Sequence, residues 1–308
     1  MTPEARRPRV AVLLSTYNGA RFLRDQLDSL ARQQDVDVLL HARDDGSSDE
    51  TCALLRSYAD RWPILAHIAP SSNLGVTLSF MELLQSAPEA DYYAFCDQDD
   101  RWHDDKLAMA ADALAGEAAP ALYCSNLMLA DEALRPLGPA PVNGDTRFEH
   151  LLFENIAVGC TSVMNAAARK LILSHRLGEG AVMHDWWCAL VVAALGRIHY
   201  DPVPRMLYRQ HGGNAVGQTA GRASQIATEA RRFLRQARRF YRPHAQAADF
   251  ERIWGSELDE PQREFLRRFV ASKASFGARL GYALSGPVVR HRPLDTAVGR
   301  ALILAGWY

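Results

Sequence analysis

The chain has 308 residues, 48% of them hydrophobic and 23% charged, with a formal net charge of −1. These values describe a globular chain with a large core and exclude disordered and fibrous classes, and no nucleic-acid partner is expected. The longest apolar run, Trp186 to Leu195, is ten residues, whereas a spanning helix needs about 20, so no transmembrane segment is expected.

Only five apolar residues follow the polar start, from Val10 to Leu14. That is short of a secretory leader, and the cytoplasm is the expected location. Five cysteines, odd in number and never in CxxC spacing, read as reduced, buried thiols rather than disulfides or a zinc knuckle. The small net charge hides an asymmetry: residues 220–308 carry 16 Lys/Arg against 8 Asp/Glu, and residues 1–219 carry 19 against 28.

In chain order, Val10 to Leu14 reads as a strand covered on both faces and Phe22 to Leu30 as a helix. Val36 to His41 is a second strand, and Asp49 caps a helix over Thr51 to Tyr58. Ile64 to Ala69 is a third strand, Leu74 to Gln85 a helix, Asp91 to Cys96 a fourth strand and Leu107 to Leu114 a helix. This βαβαβαβα order predicts an α/β fold, a mainly parallel sheet with helices on both faces and a ligand at the carboxyl ends of its strands. Leu122 to Leu129 and Cys160 to Met164 are further strands, separated by a long loop marked by Pro136, Gly138, Pro139, Pro141 and Gly144. Asp185 to Leu195 reads as a helix, and Ile198 and Arg205 to Tyr208 as short strands. From about Ser224 everything is helical, with breaks near Pro243, Gly255, Pro261 and Gly286-Pro287.

Acidic residues gather where strands end. Strand two runs into Asp44-Asp45-Gly46-Ser47-Ser48-Asp49, and strand four into Asp97-Gln98-Asp99-Asp100-Arg101-Trp102. Three carboxylates within four residues repel one another unless a cation neutralises them, and oxygen donors suit Mg²⁺ or Mn²⁺. Such a metal is commonly completed by substrate phosphates, which implies a diphosphate ligand. The competing reading is an acidic turn opening a helix, for which Asp104-Asp105 alone would serve.

These segments, with Leu14-Ser15-Thr16-Tyr17-Asn18 and Asn73-Leu74-Gly75 in the same order, resemble the inverting glycosyltransferase family 2, whose fold is GT-A. The likeness spans about residues 9–217, and Tyr208-Arg209-Gln210-His211-Gly212-Gly213-Asn214 resembles a segment of bacterial rhamnosyltransferase-like members. It implies a GT-A domain over 1–219 followed by a basic helical extension over 220–308. It further implies transfer of a sugar, dTDP-rhamnose being the first donor and UDP-sugars the second, to a surface-glycan or lipid-linked acceptor. By resemblance Asp45 accepts a hydrogen bond from the pyrimidine, with Ser15 and Tyr17 beside base and ribose. Asp97 lies near ribose and metal, and Asp99 ligates the metal.

Asp185 sits where the family carries its catalytic carboxylate and becomes the general base, the competing role being a helix cap; His184 replaces the usual glutamate. His211 is a metal or phosphate ligand or else a solvated loop residue. Trp102, Trp186 and Trp187 are either an acceptor-sugar platform or core. Two other function classes stand beside this one, a sugar-nucleotide-forming nucleotidyltransferase and a non-catalytic sugar-nucleotide scaffold. Arg231, Arg232, Arg235, Arg238, Arg239 and Arg242 share one face of a helix, with Phe233 and Phe240 opposite. That pattern suits an anionic membrane surface, or packing of the apolar side on the catalytic domain or a second subunit.

Overall fold

The first strand forms where five successive apolar residues, Val10 to Leu14, are all fully buried. In the computed structural model, which describes residues 6–59, 72–142, 144–211, 243–285, 293–306 and 308, this strand is β1 (Arg9–Thr16). It lies between β2 (Asp37–Asp44) and β3 (Tyr92–Cys96), parallel to both. The sheet continues through β8 (Ser162–Asn165), β5 (Ala121–Ser125) and β9 (Arg197–Asp201) in the order β2-β1-β3-β8-β5-β9. β8 runs antiparallel to both of its neighbours, so the sheet is mixed. The expected strand at Ile64 to Ala69 and the basic helix over Arg231 to Arg242 lie outside the described residues.

Helices α1 (Leu23–Ala31), α2 (Thr51–Ala59), α3 (Val76–Ser86), α4 (Lys106–Ala113) and α6 (Ala166–Ile172) accompany these strands. Asn165 ends β8 and starts α6: its Oδ1 accepts the Ala168 amide at 2.8 Å, satisfying a helix N-terminal donor. Asp49 does not cap α2 from the adjoining position, since Glu50 intervenes. Its carboxylate accepts the Thr51 amide at 3.0 Å and the Ala20 amide at 3.1 Å, tying the loops after β1 and β2 together.

A second sheet of four strands has the order β4-β10-β6-β7, with β4 (Arg101–Trp102), β6 (Met128–Ala130), β7 (Pro136–Pro139) and β10 (Met206–Arg209). The single strand expected over Leu122 to Leu129 is therefore two, broken at Asn126 and serving different sheets. The expected loop after Pro136 opens with β7, an edge strand, where proline's missing N–H costs no ladder bond.

The chain divides into two compact units. The first comprises Met1–Pro141, Ala157–Ser174 and Gly196–Gly217, and the second Val142–Ile156, His175–Leu195 and Gln218–Tyr308. The second unit thus takes in more than the helical extension expected from residue 220. The reason is α7 (His184–Leu195), whose residues from His184 to Val192 are all buried. A helix apolar round its circumference needs cover on every side. Trp187 of α7 packs on Phe250 at 5.6 Å, and Phe148 of α5 (Phe148–Leu151) on the same ring at 5.5 Å. Phe250 belongs to α8 (Pro243–Trp254), which is followed by α9 (Glu260–Ala271), α10 (Phe276–Ser285) and α11 (Pro293–Ala305). Pro261 does not break a helix but sits in the first turn of α9, behind a capping box of Asp259 and Gln262.

Candidate active site

The register of the first sheet decides which loops meet. Thr16 pairs with Asp44, and Leu14 with Cys96, so the acidic ends of β2 and β3 flank Ser15 to Tyr17. Asp44 builds its turn: it accepts the Thr16 hydroxyl at 2.9 Å and the Ser47 amide at 2.8 Å. Burial pushes its acidity one way, but the bonds from Ser47 and Thr16 prevail and hold the carboxyl below its usual range. Gly46 supplies the turn's positive φ of 90°.

Asp45 is 3% exposed. Its Oδ1 accepts Arg43 Nη1 at 2.5 Å and the Leu74 amide at 2.8 Å, while Oδ2 accepts the Gly75 amide at 2.9 Å. The same Arg43 Nη1 donates to Ser79 Oγ at 2.9 Å, and Ser79 meets Ser15 Oγ at 2.7 Å. Asp45 and Ser15, two of the residues assigned to the base and ribose, are therefore joined through Arg43 and Ser79. Tyr17 stays half exposed, with its backbone clasped by Gln98 in two bonds of 2.9 and 3.0 Å. Gly19 leaves room for that clasp, because a Cβ there would lie 2.0 Å from Gln98 Oε1 and push the amide aside.

After β3 the three carboxylates differ in surroundings. Asp99 Oδ2 lies 2.8 Å from His211 Nε2, each side chain being only partly buried. Asp100 is fully buried; burial first, then the charges of Asp99 and Asp97, push its carboxyl well above the usual range. It accepts the Arg209 amide at 3.0 Å. Asp97, Asp100 and Cys160 bring donor atoms within 4.8 Å of one another. Asp100 and Cys160 are both fully buried, so that trio does not suit a divalent ion that must also reach phosphate. Asp99 and His211 instead form a partly exposed carboxylate and imidazole pair at the same strand end, a donor set that divalent transition ions accept.

Arg209, 3% exposed, holds this constellation. Its Nε donates to the Asp99 carbonyl at 2.7 Å, Nη2 to the Asp25 carboxylate at 2.6 Å and Nη1 to the Glu132 carbonyl. Phe22 lies under both its guanidinium, at 4.6 Å, and the His211 ring, at 4.6 Å. The bonds of Arg43 to Ser79, of Gln98 to Tyr17 and of Arg209 to Asp25 join residues 36 to 184 apart in sequence, beyond any local spacing.

In the second unit, Asp185 lies in the first turn of α7. It is 8% exposed, and its Oδ1 accepts the Trp186 amide at 2.7 Å. His184 is 3% exposed, and burial pulls its pKa down to about 4, so it is neutral near pH 7. The acceptor platform is corrected: Trp102, Trp186 and Trp187 are 1%, 6% and 1% exposed, and none offers a ring face to a sugar. Trp186 donates Nε1 to the Leu151 carbonyl at 2.5 Å, and Trp102 lies under the buried Lys106 ammonium at 3.6 Å.

A family model described as "Glycosyl transferase family 2" matches residues 11–174. The dTDP-rhamnosyl transferase RfbG of Shigella flexneri is 31% identical over 214 residues, 66% of this chain and 73% of that protein. Among solved structures, S. aureus TarS 1-349 in complex with UDP superposes with a TM-score of 0.57 at 16% identity, covering 97% of this chain and 80% of that one. The mannosyltransferase PcManGT from Pyrobaculum calidifontis, in complex with GDP-Man and Mn²⁺, gives a TM-score of 0.56 at 19% identity, with 98% and 86% covered. These likenesses bear out the GT-A fold with a helical C-terminal region.

Proposed function

Because the chain belongs to glycosyltransferase family 2, we propose that it transfers rhamnose from dTDP-rhamnose, with inversion, to a hydroxyl of a surface-glycan or lipid-linked acceptor. The observation that carries this reading is the facing pair of Asp99 and His211 at the strand ends that also bear Tyr17 and Asp45. The relative named as a dTDP-rhamnosyl transferase supports the donor. UDP-sugars are the second choice.

In this reading Tyr17 covers the base with its exposed ring, and Asp45 uses the lone pair of Oδ2 beside the Gly75 amide for the pyrimidine N–H. Asp97, Asp99 and His211 would hold Mn²⁺ or Mg²⁺, which supplies charge neutralisation for the departing diphosphate. Asp185 takes the acceptor hydroxyl proton on its carboxylate. The freed oxygen bonds the anomeric carbon on the face opposite the diphosphate as the bond to the nucleoside diphosphate breaks. Asp100, fully enclosed, is unsuited to the base role.

The reaction is assigned to the cytoplasm or the inner face of the cell membrane; no described helix is long and apolar enough to cross it. The arginine face over 231–242 is read as a contact for anionic lipid, the alternative being a homodimer.

Asp185→Asn tests the chemistry. It should keep donor affinity and thermal stability while turnover falls by about 10²-fold or more. Turnover within a few-fold of the parent would move the base elsewhere.

A further inference from the structure

Helix α10 is built the wrong way round for water. Ser275 starts it by accepting the Ala278 amide on its hydroxyl at 3.1 Å. At about 100° per residue, Phe276, Leu280, Leu284, Gly277 and Gly281 then fall on one arc of roughly 140°. That arc is the exposed one: Phe276 is 62% exposed, Leu280 39% and Leu284 72%, while Tyr282, opposite it, and Ala283, at its edge beside Phe276, are buried. A Cβ placed on Gly281 would meet nothing within 4 Å, so the face is open along its length. A surface helix normally turns charged and polar residues outward; this one turns out two leucines, a phenylalanine and two glycines.

The sequence around the face is one-sided in charge. From Phe265 to Tyr308 there are seven Lys/Arg and a single acidic residue, Asp295. Lys273 is exposed just before α10, and Arg279 borders the apolar face with its guanidinium 5.9 Å from the Phe276 ring. Ten residues make a helix of about 15 Å, too short to span a bilayer but suited to lying in its interface. A symmetric dimer through this face would bring Lys273 and Arg279 of two copies together with no acidic residue on α10 to offset them, and like charges repel over roughly 8 Å at physiological salt.

We propose that α10 is an interfacial membrane anchor that inserts Phe276, Leu280 and Leu284 among acyl chains, with the surrounding cations on anionic headgroups. The occupant is a lipid surface, and α10 is a separate element from the arginine-rich segment over 231–242. The proposal does not depend on the reaction catalysed, because its readout is partition and not turnover.

The test is co-sedimentation of the full chain with vesicles of phosphatidylglycerol and phosphatidylcholine in equal parts, against phosphatidylcholine alone. The parent should bind the anionic vesicles and release in high salt. The double variant Leu280→Gln/Leu284→Gln, altered only at exposed positions, should keep the parent's thermal unfolding midpoint and bind at least tenfold more weakly, on the order expected from removing two inserted side chains. Undiminished vesicle binding by a folded double variant overturns the proposal, as does a parent that ignores anionic vesicles. Sedimentation without vesicles adds a third arm: a parent dimer that the same substitutions dissociate would assign the face to a second copy, overturning the lipid reading.

Discussion

His184 makes stability depend on pH in a way that one substitution removes. In the folded chain burial pulls its pKa to about 4, against about 6.5 in the unfolded chain. The unfolded chain therefore takes up a proton first as pH falls. Stability is full above about pH 6.5, declines through the interval down to about 4, and is flat below. The whole interval is worth about 3 kcal/mol, and the part between pH 7.5 and 5 about 2 kcal/mol. The group is 3% exposed, so solvent screening removes little of this. His184→Gln cannot titrate. Urea unfolding followed by the fluorescence of the adjacent Trp186 and Trp187 at both pH values should show the parent losing about 2 kcal/mol more than the variant on acidification. An equal loss in both proteins would refute the argument and place the acid-sensitive protonation elsewhere.

Asp99→Ala should make the calorimetric affinity for dTDP indifferent to EDTA while the fold survives, whereas the parent should bind more weakly once metal is removed. Arg209→Lys keeps the charge but loses the fork that reaches Asp25, the Asp99 carbonyl and the Glu132 carbonyl together, and dTDP affinity in Mn²⁺ should drop about tenfold by the same calorimetry. Gly196→Ala would place a Cβ 2.2 Å from the Pro120 carbonyl oxygen, which already accepts the Arg197 amide at 3.0 Å. Thermal unfolding should show a loss of about 1–3 kcal/mol.

Legibility in the sequence followed how local the cause was. β1 was readable because Val10 to Leu14 has no polar interruption, and Asp44, Asp45, Asp97 and Asp99 were readable because acidic residues at strand ends are unusual without a ligand. β7 was not, because Pro136, Gly138 and Pro139 have loop composition and only an edge position tolerates them. The division of labour among the carboxylates was also hidden: Asp99 and Asp100 are neighbours, yet one faces His211 while the other is enclosed beside Cys160 and the Arg209 amide. The tryptophans misled for the reverse reason, since aromatic rings suit a sugar and a core equally well until burial is known. α7 was found as a helix, but its membership of the second unit depends on Phe250, far along the chain.

That last dependence bears on how the protein is made. α7 and α5 leave the ribosome well before α8, and Trp187 must wait for Phe250, about 60 residues later, before its ring is covered. At roughly 5–20 residues per second the delay is about 3–12 s. For that interval a helix with no polar side is unprotected, while β9 and β10, synthesised directly after it, are still completing sheets begun at residue 9. The interval between the synthesis of α7 and of α8 is therefore where chaperone demand and aggregation during expression should concentrate.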